Sequence, residues 1–155
     1  MTTPNPIDLM KSAAHLYRAL GLDTPREFVP RGPVLGAVMP FSLTCRTCDA
    51  GSSVDTPTEA SLAGWDRIEP ARDLPQANYI GDCPECLGEA LLLAWKRIAA
   101  TLGDAGKCRS CGAEIRWART KNDKAIPIDA DYPQSHFASC PNSRQHRRPK
   151  QGDQP

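Results

Sequence analysis

Residues 108 to 140 read CRSCGAEIRWARTKNDKAIPIDADYPQSHFASC, opening on a Cys-x2-Cys pair and closing on His136-x3-Cys140. Four soft donors bracketing a short segment form the ligand set of a tetrahedral metal site, zinc above all. Upstream, Cys45-Arg46-Thr47-Cys48 and Cys83-Pro84-Glu85-Cys86 supply four more. The chain has seven cysteines, so a disulfide framework would strand one thiol. Adding His136 completes two four-ligand sets: Cys45, Cys48, Cys83 and Cys86, then Cys108, Cys111, His136 and Cys140. Exchanging Cys83/Cys86 with Cys108/Cys111 satisfies the same count, so spacing alone leaves an interleaved pairing open.

With 155 residues, 40% of them hydrophobic, and 15 prolines and 11 glycines, the composition suits small cores rather than one large core. Units of that size need a staple, and a structural zinc ion supplies on the order of 10 to 16 kcal/mol of folding free energy. The expected fold is α+β, with two small zinc-stabilised modules joined by helices. Residues 1–33 form an N-terminal helix and linker, and 34–86 a four-cysteine zinc ribbon with an inserted helix. Residues 87–103 form a bracing helix, 104–141 a treble-clef-like finger, and 142–155 a disordered basic tail.

Charge narrows the function classes. Residues 1–102 carry nine Lys/Arg against twelve Asp/Glu, and residues 103–155 carry ten against six. Seven thiolates and two zinc ions bring the formal charge to about -2, so any electrostatic contact must come from a local patch. The most apolar run, Ala90 to Ala94, is too short to span a bilayer, and the first residues lack a charged-then-apolar leader. With paired thiols kept reduced, a cytoplasmic location is expected.

Local patterns place the elements. Asn5-Pro6 caps a helix whose stripe is Leu9, Ala13, Leu16, Tyr17 and Leu20, ending at Gly21; His15 on it is an ordinary surface residue. Residues 23–33 read as an extended linker and 34–44 as a strand. Thr56-Pro57-Thr58-Glu59 is a capping box for a helix over 57–63, and Ile68 with residues 78–80 forms a small sheet. Leu87, Leu91, Ala94, Trp95, Ile98 and Leu102 mark the longest helix. A hairpin runs out over 114–120 and back over 125–129, with Ile126 and Ile128 expected to answer Ile115 and Trp117.

No catalytic residue is assigned. Each ligand set closes a tetrahedron, leaving no open metal position, and the chain lacks GxxxxGK[ST], GxSxG and HExxH. His136, Asn142 and His146 lie too close together for an HNH nuclease. The expected role is a non-catalytic zinc-binding adaptor or regulator with two Zn2+ per chain, binding a partner protein. One alternative is sequence-independent nucleic-acid binding through Arg109, Arg116, Arg119, Lys121, Lys124, Arg144, Arg147 and Arg148. Trp117, Tyr132 and Phe137 are expected to fill a small core rather than stack on bases. The other alternative is an iron-binding redox protein, since rubredoxin-like sites also use two CxxC pairs.

The pattern Cys-x2-Cys-Gly-x2-Ile-x-Trp-x2-Thr, then Pro-Ile-Asp and Ser-His-Phe-x2-Cys-Pro, over residues 108–141, resembles small zinc-finger proteins of phages and mobile elements from GC-rich bacteria. Asp123-Lys124 stands where that pattern has Gly-Lys. Residues 45–86, with Glu59-Ala60, Gly64-Trp65 and Cys83-Pro84-x-Cys86, are similar to a phage-type zinc ribbon. The resemblance implies a small accessory protein that binds a host or phage protein, and it carries no activity.

Overall fold

The first helix, α1 (Pro6–Leu20), starts where the sequence supplies a cap: Asn5 Oδ1 accepts the Ile7 N–H at 2.9 Å. Its predicted stripe of Leu9, Ala13, Leu16, Tyr17 and Leu20 is buried, and His15 is exposed. The structure, a computed structural model, describes residues 4–146. The chain divides into two units, one holding the residues up to Ala14 with Thr24–Ala94, the other His15–Asp23 with the residues from Trp95 onward. Both α1 and the long helix α3 (Pro84–Leu102) therefore contribute a part to each unit. No helix among the described residues is long and apolar enough to cross a membrane.

In the first unit, β1 (Leu43–Cys45), β2 (Asp66–Pro70) and β3 (Tyr79–Asp82) form a sheet in the order β1-β3-β2. β2 and β3 pair, as the sequence predicts, and they run antiparallel, whereas β1 runs parallel to β3 with Leu43 opposite Tyr79 and Cys45 opposite Gly81. Between β1 and β2, α2 (Pro57–Leu62) begins at Thr56, whose Oγ1 accepts the Glu59 N–H at 3.2 Å. The return arm of this capping box lands one residue early, Glu59 Oε2 accepting from the Asp55 N–H at 3.3 Å. The core gathers Phe41, Leu43, Ala60, Trp65 and Tyr79 around Cys45 and Cys83.

Two expectations are corrected in this unit. Residues 34–42 form no strand, because Pro33, Gly36 and Pro40 interrupt the run. Side chains satisfy that backbone instead: the Val38 N–H donates to Tyr79 Oη at 2.8 Å, and Asn78 Nδ2 donates to the Val38 and Pro40 carbonyls. The segment 23–33 is not merely a linker, since a 3-10 turn over Arg26–Phe28 buries the Phe28 ring.

In the second unit, β4 (Asp104–Lys107), β5 (Glu114–Arg119) and β6 (Ala125–Asp129) form an antiparallel sheet with β5 central. β4 was not legible in the sequence, since Asp-Ala-Gly-Lys contains no β-branched or aromatic residue. Register corrects the predicted facing. Ile115 lies opposite Asp129 and Trp117 opposite Pro127, while Ile128 faces Arg116 and Ile126 faces Ala118. Directly opposed residues share a face, so Ile126 and Ile128 lie on the side away from Ile115 and Trp117. In the same unit, Tyr17 meets Trp95 edge-on with ring centroids 6.5 Å apart. The Trp95 indole N–H donates to the Asp129 carbonyl at 3.1 Å.

After β6, the short helix α4 (His136–Ser139) is capped by Ser135, whose Oγ accepts the Phe137 N–H. Residues 142–146, assigned to the basic tail, carry structure: Asn142 Nδ2 donates to the Ser110 carbonyl, and Ser143–His146 make a 3-10 turn.

Candidate metal centres

Two six-residue segments, Cys45-Arg46-Thr47-Cys48-Asp49-Ala50 and Cys108-Arg109-Ser110-Cys111-Gly112-Ala113, build the same turn. In the first, the Cys45 N–H donates to the Ala50 carbonyl at 2.8 Å and the Asp49 N–H returns to the Cys45 carbonyl at 3.1 Å. In the second, Cys108 N–H to Ala113 O is 2.9 Å and Gly112 N–H to Cys108 O is 2.8 Å. The fifth residue is left-handed in both, φ 59° at Asp49 and 76° at Gly112, a conformation open mainly to glycine and to short polar side chains. Each turn closes a short antiparallel pairing, Thr44 with Gly51 and Lys107 with Glu114.

The second ligand pair of each set sits at a helix start. Cys83 immediately precedes α3 and its carbonyl accepts the Leu87 N–H at 2.9 Å, placing Cys86 in the first turn. His136 is the first residue of α4, and the Cys140 N–H bonds back to its carbonyl at 2.8 Å. Hairpin turn followed by helix is thus the plan of both modules. In the four-cysteine module, the second pair rides on a helix rather than on a second hairpin.

The donors converge as two sets and are not interleaved. Within Cys45, Cys48, Cys83 and Cys86, and within Cys108, Cys111, His136 and Cys140, all ligand atoms lie within 4.8 Å of one another. Cys48 Sγ is 3.7 Å from Cys83 Sγ, Cys108 Sγ is 3.9 Å from Cys140 Sγ, and Cys111 Sγ is 3.3 Å from His136 Nε2. A tetrahedral ion with metal–sulfur bonds of about 2.3 Å gives sulfur–sulfur edges of about 3.8 Å. All seven cysteines are free thiols. The geometry fits two metal ions.

Electrostatics supports the same reading. Burial pushes the Cys45 thiol up, but N–H groups of Cys83, Cys48 and Thr47 outweigh it and bring it down to about 6. The Ser110 hydroxyl bond to Cys108, aided against burial by the Cys111 and Ser110 N–H groups, lowers that thiol to about 5. Their neighbours move the other way. Cys83 is raised by burial, and Cys86 by its bonds to Cys83 and Cys48. At Cys111 the Ala113 N–H pulls down, yet burial and the nearby Cys108 and Cys140 sulfurs win and raise it. One thiolate forms readily in each set and opposes the next, the signature of a cluster that needs a cation to ionise fully.

The surroundings of the two sets differ. His136 Nδ1 lies 2.6 Å from Asp129 Oδ1, and Gln134 Nε2 donates to Asp129 Oδ2 at 2.8 Å. Burial lowers the His136 pKa, but the Asp129 bond and charge raise it on balance. With Nδ1–H held by this carboxylate, Nε2 keeps its lone pair for the metal. Asp129 therefore orients the ligand imidazole, a role the sequence analysis did not assign; its only signal was its place in Pro-Ile-Asp. Beside the four-cysteine set, Arg46 Nε meets Asp82 Oδ1 at 2.8 Å, Arg46 Nη1 meets Glu69 Oε1 at 2.9 Å, and Arg67 Nη1 meets Asp82 Oδ2 at 3.2 Å.

The predicted nucleic-acid residues do not form one stripe. Arg109, Arg119, Lys121, Lys124 and Arg144 are exposed. Arg116 alternates to the face opposite Trp117 and Arg119, and Arg119 is paired with Asp123 at 3.2 Å. Arg147 and Arg148 lie outside the described residues. The aromatics depart from expectation: Trp117 is 44% and Phe137 47% exposed, whereas Tyr132 is half-buried. No protein-family model, no curated protein and no solved structure matches the chain.

Proposed function

We propose that this protein is a non-catalytic adaptor holding one Zn2+ in each set and docking a protein partner through residues 29–39. Zinc is favoured over iron because two sets of unlike donors, one with imidazole, share one tetrahedral plan, and a d10 ion imposes no further demand. Four protein donors per set leave no coordination position for substrate or water, which supports a structural role. Its resemblance to small phage zinc-finger proteins suits an accessory function.

The docking reading rests on one observation. Leu35 is 90%, Val38 67% and Met39 59% exposed, on a segment whose backbone is pinned by Asn78 and Tyr79. Large apolar side chains on a preorganised loop lose little entropy on binding and match the anchors of protein interfaces. Metal content tests the first part: elemental analysis is expected to give two zinc ions per chain in a colourless protein, and iron or a single ion defeats it. For the second, a photo-crosslinker at Leu35 is expected to capture a defined partner that Val38→Ser/Met39→Ser loses at unchanged zinc content. Undiminished capture by that variant removes the loop from the interface.

A further inference from the structure

On the second module, a cavity of about 610 Å3 opens beside the metal set, with Lys107, Arg109, Trp117, Pro127 and Phe137 among its lining. The volume lies inside the range of about 300 to 1,000 Å3 that small-ligand clefts occupy. Its chemistry is selective: the Arg109 side chain stands with two aromatic ones and no carboxylate is in the lining, while Lys107, opposite Glu114, turns its side chain to the other face of the sheet. Over residues 104–129 the bases Lys107, Arg109, Arg116, Arg119, Lys121 and Lys124 outnumber the acids Asp104, Glu114, Asp123 and Asp129, and Asp129 is engaged with His136.

We infer that this groove binds single-stranded nucleic acid, an unpaired base stacking on Trp117 beside Phe137 while Arg109 meets a flanking phosphate. This goes beyond the adaptor reading, since it concerns a different module and a different class of partner.

Three observations carry it. Trp117 is 44% exposed while the other two tryptophans, Trp65 and Trp95, are 8% and 0% exposed, so the chain spends one indole on its surface. That indole is seated: a Cβ on Gly106 would lie 3.0 Å from Trp117 Nε1 and 3.1 Å from Cδ1, so the ring rests on a strand that lacks a side chain at that point. A ring held this way loses little freedom when a base stacks on its open side. Finally, Arg109 makes no ion pair with a described residue, leaving its guanidinium for phosphate. An aromatic shelf requires an unstacked base, which a duplex does not offer. Phosphate charge, in turn, favours a nucleic acid over a neutral proline-rich peptide, the other occupant of aromatic grooves.

The test titrates zinc-loaded full-length protein with oligothymidylate and oligouridylate, following fluorescence of the exposed tryptophan, alongside a duplex of equal length and a proline-rich peptide. Quenching by the single strands is expected. Trp117→Ala is expected to weaken binding about 5- to 150-fold, and Trp117→Phe to retain most of it. Arg109→Gln is expected to flatten the slope of log affinity against log salt by about 0.7, from one phosphate contact. Variants are compared at equal zinc content, with polarisation of a labelled strand replacing the fluorescence signal in the Trp117 variants. The inference is overturned if neither single strand binds, if duplex binds as tightly, if the peptide alone quenches, or if Trp117→Ala binds like the parent.

Discussion

Two knuckles of near-identical sequence, Cys-Arg-Thr-Cys-Asp-Ala and Cys-Arg-Ser-Cys-Gly-Ala, fold into the same turn but stand in unlike surroundings. Around Cys45 and Cys83, five apolar side chains from two loops, two strands and a helix close a core, among them Phe41 and Tyr79 with ring centroids 5.2 Å apart. In the corresponding cluster around Cys108 and Cys140, Ile115 is the one buried residue that is not a ligand. The second knuckle depends on its metal where the first also has hydrophobic contacts. The arginines diverge too. Arg46 is bound to Glu69 and Asp82, whereas Arg109, at the same knuckle position and beside the aromatic groove, makes no ion pair with a described residue. The same local turn thus uses its arginine for cohesion in one module and leaves it without an ion pair to a described residue in the other.

Metal removal should show the largest difference. On chelation, the Cys108 knuckle and α4 are expected to lose all amide hydrogen-exchange protection, because there about 10 to 16 kcal/mol of metal-linked folding free energy has only Ile115 buried beside the ligands. β1 and β3 are expected to keep residual protection. Equal loss in both units would show that the apolar core of the first contributes nothing without its ion.

Acid should separate the sets next. A thiol whose folded pKa is depressed stabilises the folded state above its ordinary value of 9.0, and that stabilisation drains as pH falls toward the folded value, about 6 at Cys45 and about 5 at Cys108. Zinc release, followed with a chromophoric indicator, is expected first from the four-cysteine set, where protons compete for four thiols rather than three. Release in the reverse order breaks this assignment of donors to the two sets.

Asp129→Asn is expected to weaken metal binding about 10- to 100-fold at the histidine-containing set only, measured by competition with a chelator. An unchanged affinity would reduce Asp129 to a bystander. Among the arginines, Arg46→Ala is expected to cost about 1 kcal/mol in denaturant unfolding, discounted because its side chain is 34% exposed. Arg109→Ala is expected to stay within about 0.5 kcal/mol. Similar costs at the two positions would dissolve the contrast between them. The smallest effect concerns the left-handed residue: Asp49→Gly is expected to gain a few tenths of a kcal/mol and Gly112→Asp to lose about 0.5 kcal/mol, each read from the urea midpoint.

Much of the site was legible because ligand chemistry is local. Cys-x2-Cys turns and the His136-x3-Cys140 spacing bring two donors together within one turn of chain, so their roles follow from spacing. Helix ends were legible for the same reason, Asn5 and Thr56 capping where they stand. What failed was cross-strand information. Ile126 and Ile128 were matched to Ile115 and Trp117, yet a one-residue difference in register turned them to the other face. That slip also hid Trp117, which the sequence analysis placed in a core. The segment 34–42 looked extended because its apolar residues suit a strand, but its hydrogen bonds go to the side chains of Asn78 and Tyr79, about forty residues away.

The sequence by itself determined the donor inventory, eight ligands in four pairs, and with it the need for two metal ions, since seven thiols cannot all pair and sets of four thiol or imidazole donors suit tetrahedral coordination. Only the tertiary structure decided which pairs meet, that Asp129 backs His136, and that one arginine is ion-paired while its counterpart has no such partner among the described residues. The physical reason is range. A turn's hydrogen bonds close within six residues and can be read along the chain, whereas ligand pairing, second carboxylates and exposed aromatics arise from register and packing between segments that the chain order does not place side by side.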